Sequence, residues 1–139
     1  MAFSIRYPKN TIYNEDRTKA SSLVTTTGTL YVNNLTTGVL EAATTTTTQT
    51  QKLWVANETI AAADNRVTVN CALISPEDGV VADSVNNSDA THNGRRMILN
   101  ASGDKVNNTA DNATTAAVFT QTGVVGAAAD KKIIVRLTV

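Results

Sequence analysis

Between Leu53 and Leu73 the chain reads LWVANETIAAADNRVTVNCAL, and this stretch constrains the fold class more than any other. Two apolar runs, Leu53 to Ala56 and Val67 to Leu73, flank a small and polar connection. In the second run Val67, Val69, Cys71 and Leu73 fall on one face, and Thr68, Asn70 and Ala72 on the other. A period of two belongs to an extended strand with one face buried; a helix would space its apolar residues three and four apart. Ala63-Asp64-Asn65 supplies a turn before the strand, because Asp and Asn side chains bond to their own backbone and tolerate left-handed angles. Trp54, the one tryptophan, sits in the first run and is the largest apolar group the chain can offer a core.

The same grammar continues along the chain. Strands are expected at Leu23 to Thr26, Thr29 to Val32, Val39 to Glu41, Leu53 to Ala56, Arg66 to Ile74, Val80 to Val85, Arg96 to Leu99, Ala117 to Thr120 and Lys132 to Val139. Turn residues fall between them, at Gly28, Asn33-Asn34, Gly38, Glu77-Asp78-Gly79, Asn93-Gly94 and Ser102-Gly103-Asp104. No segment sustains helical periodicity with caps, although Ala61 to Ala63 and Ala110 to Ala117 have room for a helical turn. The class is mainly β, a small β-barrel or β-sandwich of short antiparallel strands. The threonine run Thr44 to Thr48 and the Asn/Thr/Ala-rich stretch Asn107 to Ala117 read as wet loops or edge strands.

Residues 1–22 differ in character from residues 23–139. Phe3, Ile5 and Tyr7 alternate with Ser4 and Arg6, a short strand signal that Pro8 ends, and the charged residues Lys9, Glu15, Asp16, Arg17 and Lys19 come after it. The expectation is an extended N-terminal arm over 1–22 and a single β domain over 23–139. A lone terminal strand cannot satisfy its backbone, so it must pair with an edge in its own molecule or add itself to a partner's sheet.

Composition narrows the function classes. A chain of 139 residues fits one domain. Apolar residues make up 42% and aromatics 4%, so the core is built from Val, Ile, Leu and Ala rather than around a ring-lined ligand cavity. Twelve basic and twelve acidic side chains cancel, which argues against general nucleic-acid binding and against a polybasic membrane anchor. Cys71 is the one cysteine and lies in the apolar register of a strand, as a buried, inert thiol would. The N-terminus lacks the apolar region of a signal peptide, and no run has the length of a bilayer span, so synthesis in a cytoplasm without export is expected.

The search for chemistry finds no converging set. His92 is the one histidine, in a polar segment with Asp89 three residues before it; the sequence places no further partner of a triad or metal site nearby. Asp78, Asp83 and Asp89 have the oxygens of a calcium site but not the spacing of a loop that converges them, and read as surface carboxylates. Gly123-Val124-Val125-Gly126 has neither the spacing nor the helix of a phosphate loop. The basic pairs Arg95-Arg96 and Lys131-Lys132 stand at strand entrances, as solvated faces or as contacts to an acidic partner. No cofactor, no metal and no enzymatic activity are expected.

From Leu30 to Ile74 the order of a short strand, a turn at Gly38, the segment VANETIAAAD and the alternating strand Val67 to Leu73 resembles the small β domains of tailed-bacteriophage head decoration proteins, also called capsid cement proteins. The closing half, RRMILNASGDKVNN followed by KKIIVRLTV, also looks like members of that group. The resemblance implies a non-enzymatic virion protein on the outer capsid surface, bridging major capsid protein subunits, often as a homotrimer, with an N-terminal arm that orders on the capsid. On this chain the arm positions are Phe3, Ile5, Arg6 and Tyr7. The stretch from Ser75 to Val139 exceeds the smaller lambda-like members. The alternatives are a glycan-binding or adhesin-like β-sandwich, against which the scarcity of aromatics counts, and a tail or fibre-base component.

Overall fold

The computed structural model describes residues 2–8 and 12–138, within which eleven strands form two antiparallel sheets. The six-stranded sheet runs β1 (Phe3–Tyr7), β7 (Gly79–Asp83), β11 (Lys132–Leu137), β10 (Phe119–Val125), β8 (Arg96–Leu99), β9 (Val106–Asn107). The five-stranded sheet runs β2 (Ile12–Thr18), β6 (Thr68–Leu73), β5 (Leu53–Ala56), β3 (Leu30–Asn33), β4 (Leu40–Ala42). The sheets do not close into a barrel, and a sandwich-like arrangement fits them.

Period-two alternation builds the central core. Leu30 and Val32 of β3 and Leu53 and Val55 of β5 meet Phe3, Val80, Ala82, Met97, Leu99, Phe119, Ile133 and Val135 from the other sheet. The alternate positions Tyr31, Trp54, Ala56, Val69 and Cys71 point the opposite way, into a second cluster closed by Leu40, Ile60 and Leu23. Both faces of the five-stranded sheet are therefore covered, which is why all four residues of β5 are buried. Fully burying one large aliphatic side chain contributes about 1.5–3 kcal/mol, so the second cluster is a substantial stabiliser of the connections that cover it.

The alternating stretch behaves as expected from Val69 onward, but Val67 lies before β6 begins and is 69% exposed. The expected strand Leu23 to Thr26 is a turn region in which Thr25 alone makes an isolated bridge, to Ile60. Thr25 is buried: its hydroxyl donates to the Glu58 carbonyl at 3.0 Å, and Ile60 N–H donates back to it at 3.2 Å. The strand expected at Ala117 to Thr120 begins at Phe119 and continues to Val125, with a register shift between Gln121 and Gly123 that carries it through the glycine. Within the threonine run Thr47 is buried rather than wet, because its hydroxyl accepts the Thr44 N–H at 2.9 Å and closes a local turn. Helical turns form at Ala90–His92 and Ala128–Asp130, not within the two alanine-rich stretches.

The segment expected as an arm is divided between the two sheets. β1 pairs with β7, and Asp83 N–H donates to the Ala2 carbonyl at 2.8 Å. β2 pairs with β6 along the rim of the other sheet. Both strands of the segment 1–22 thus find edges in their own molecule.

Candidate interaction site

The four residues expected to contact a partner lie on β1, and the structure splits them into two pairs. Phe3 is fully buried and stacks on Phe119 with ring centroids 5.9 Å apart. Its N–H donates to the Gly28 carbonyl at 2.8 Å, so this part of the rim already has a partner. Ile5 is half-buried against the same core. Both are structural in this conformation.

Arg6 and Tyr7 face outward because of a bulge. The register passes from Ile5 opposite Val80 to Tyr7 opposite Gly79, leaving an extra residue on β1. Plain alternation would put Tyr7 beside Phe3 and Ile5; the bulge turns it to the outer face, where it is 54% exposed. Gly79 makes the room, since a Cβ there would come within 2.8 Å of Tyr7 Cβ. Around Tyr7 lie Glu77, Asp78, Thr122, Ile134 and Arg136, and around Arg6 lie Ser4, Val81, Val125 and Lys132.

Charges of both signs stand on this face, Glu77 and Asp78 lining the same hollow as Arg136. Lys132 is paired with Asp83, and Arg96 grips Asp111 through Nε at 3.2 Å and Nη2 at 2.8 Å. These bonds, together with the Arg96 N–H, hold the Asp111 carboxyl down at about 2. Arg6 and Arg136 have no ion pair or hydrogen bond among the described residues. The result is an exposed tyrosine and a half-buried isoleucine in one hollow with Arg136 and Glu77, and Arg6 lining another.

The remaining sequence candidates stay apart. His92 Nε2 lies 3.5 Å from Asp89 Oδ2, while the Asp89 carboxylate caps the Thr91 N–H and hydroxyl, which lowers its pKa. Asp78 is buried, not at the surface, and its carboxylate accepts the Ser75 N–H at 2.8 Å. Asp83 belongs to the Lys132 pair, so the three aspartates do different work, and no group of three metal-ligating side chains forms among the described residues. The Cys71 thiol is buried and its pKa is pushed up to about 12 by desolvation. Arg95 reaches the Thr109 carbonyl at 3.5 Å, and Lys131 occupies the left-handed position ending a turn.

Sequence reasoning missed Ile134 and Arg136 as members of this surface, because chain order gives no sign that only β7 separates β11 from β1. It also missed Arg17, whose guanidinium sits 5.0 Å over Trp54. Trp54 itself is buried, and its Nε1 donates to Asn33 Oδ1 at 2.6 Å, so it offers no stacking platform to a sugar. Comparison with family models, curated proteins and solved structures found no match.

Proposed function

We propose that this chain is a non-enzymatic structural protein of a tailed-phage virion, a capsid decoration protein that docks on the major capsid protein and bridges its subunits, as a homotrimer. The observation that carries the reading is the outer face beside β1, where Tyr7, 54% exposed, shares one open hollow with Ile134 and Arg136, and Arg6 lines another. The resemblance of Leu30 to Ile74, and of the segments RRMILNASGDKVNN and KKIIVRLTV, to decoration proteins supplies the partner. A decorating protein gains strength from repeated modest contacts over a lattice, for which a shallow face is adequate. Docking through side chains is favoured over addition of a long strand, because the Phe3 N–H is taken and the bulge breaks the ladder after Ile5.

The test is co-sedimentation of the full chain with expanded, undecorated shells of the phage that encodes it. Binding is expected to saturate at a fixed copy number in proportion to the lattice. The double variant Arg6→Glu, Tyr7→Ser is expected to lose binding by at least about tenfold, or 1.4 kcal/mol, with its thermal transition little changed. Absence of binding by the folded wild-type protein would overturn the reading in favour of a glycan-binding or tail component.

A further inference from the structure

A second feature lies along the outer edge of β2, a rim strand of the five-stranded sheet. Successive residues of a paired strand turn their backbone groups to opposite sides. Just past β2, the Lys19 N–H donates inward to the Val67 carbonyl at 3.0 Å, and the Ala20 N–H donates outward to the Leu40 carbonyl at 2.8 Å. Counting back by twos, Glu15 and Arg17 turn their backbone groups to β6, while Asp16 and Thr18 turn their N–H groups away from it. The bridge between Lys19 and Leu40 joins the two rims of this sheet, with the chains parallel there.

Nearer the start of β2 the rims part around a hollow of about 500 Å³, lined by Glu15 and Arg17 on one side, by Asn34 and Leu35 on the other, and by Trp54 and Leu73. The turn that carries Leu35 is braced by its own side chains. Asn34 Oδ1 accepts the Thr36 and Thr37 N–H groups at 2.8 and 2.9 Å, and Asn33 Nδ2 donates to the Gly38 carbonyl at 2.8 Å. It holds Leu35 71% exposed at the lip of the hollow. Arg17 and Lys52 outnumber Glu15 on the walls. The Arg17–Glu15 pair is long, at 3.5 Å, and Arg17 Nε is buried without a hydrogen-bond partner among the described residues.

We propose that the outer edge of β2 accepts an extended segment of another protein as an added strand, which lays an acidic and an apolar side chain, two residues apart, into this hollow. Main-chain bonds to the outward groups of Asp16 and Thr18 hold the segment, and the hollow selects its side chains. A residue set opposite Arg17 shares the Arg17 face, so a carboxylate there makes an oppositely charged cross-strand pair, and an apolar residue two positions along meets the Leu35 side of the hollow. A second copy of β2 does not fit. Antiparallel pairing sets outward-bonding residues against outward-bonding residues, so a two-fold between copies must set one residue against itself. A centre at Glu15, Asp16 or Arg17 puts like charges opposite each other, and a centre at Thr18 puts Arg17 opposite Lys19 of the other copy. This inference goes beyond the capsid reading and does not rest on it.

The test uses amide chemical shifts of the isotope-labelled full chain titrated with the peptide acetyl-Thr-Val-Thr-Leu-Thr-Glu-Thr-amide. Saturable shifts are expected at residues 15–20, 34–37 and 52–54, and the same peptide with Lys in place of Glu is expected to bind at least tenfold more weakly. Asp16→Pro removes an outward N–H that the protein's own ladder does not use. It is expected to keep a cooperative thermal transition and to weaken peptide binding at least tenfold. Should that variant fail to fold, the peptide N-methylated at every residue replaces it as the ligand that cannot pair, and is expected to give no saturable shifts. Lys52→Glu is expected to narrow the preference for the Glu peptide over the Lys peptide. Absence of saturable shifts, equal binding of the two peptides, or unchanged binding to Asp16→Pro would overturn the proposal. Shifts at the same residues that grow with protein concentration, without peptide, would overturn it in favour of pairing between copies.

Discussion

Asp111 shows how much one exposed carboxylate can do when its geometry is right. It accepts the Arg96 N–H at 2.8 Å and both sides of the Arg96 guanidinium, and Asn112 N–H donates to the Arg96 carbonyl at 2.8 Å. Together these stitch the Asn/Thr/Ala-rich stretch to the start of β8. The carboxyl pKa is lowered to about 2 by the side-chain and then the backbone bonds from Arg96. The unfolded chain, with an ordinary Asp pKa near ~4, takes up this proton first as the pH falls. Stability from the ionised form is thus complete above that value and lost as the pH descends toward the folded one. Thermal melting of the wild-type protein is expected to fall across this acid window, and Asp111→Asn to melt lower at neutral pH with a shallower slope below it. A slope identical to wild type would mean that the Arg96 pair does not form in solution.

At the scale of elements, two turns distinguish backbone strain from packing. Gly38 and Gly103 have φ of +76° and +67°, so a side chain at either suffers the left-handed penalty of about 1–2 kcal/mol. At Gly38 nothing lies within 4 Å of a new Cβ, whereas at Gly103 the Ala43 carbonyl oxygen would sit 2.1 Å away. Gly103→Ala is therefore expected to cost clearly more in urea denaturation than Gly38→Ala, since the turn between β8 and β9 must lift off the end of β4. Equal costs would show that the turn is not seated there. Elements were legible in the sequence where alternation was carried by aliphatic residues: β5 and β8 match their expected ranges residue for residue. β2 was hidden because its covered face is made by Glu15 and Arg17, whose long stems cover apolar surface while their heads count as polar. β9, two residues long, is too short to carry any period. At the candidate site Arg6 and Tyr7 were legible as residues that face a partner, but Phe3 and Ile5 were assigned there too. The burial of those two depends on Phe119 and its neighbours, more than a hundred residues away in the chain, which no local pattern encodes.

For the whole molecule the decisive feature is that the first two strands belong to different sheets. β1 forms one rim of the six-stranded sheet and β2 one rim of the five-stranded sheet, so the N-terminal residues tie the layers together rather than extending from them. Deleting residues 1–22 removes a rim from each sheet, the Phe3 ring from the central core and the Arg17 cover from Trp54. Replacing Phe3 alone by Ala is expected to cost about 3–5 kcal/mol, a large share of the roughly 5–15 kcal/mol available to a domain of this size. The truncated chain is therefore expected to lose its cooperative thermal transition. Its failure to bind shells would then say nothing about anchoring, which is why surface variants at Arg6 and Tyr7 are needed to test docking. If the truncated chain instead melts with the full-length protein, and Phe3→Ala leaves stability unchanged, the first strands are detachable. Residues 1–22 would then be free to exchange their own sheet edges for those of a partner, and the arm would become the anchor after all.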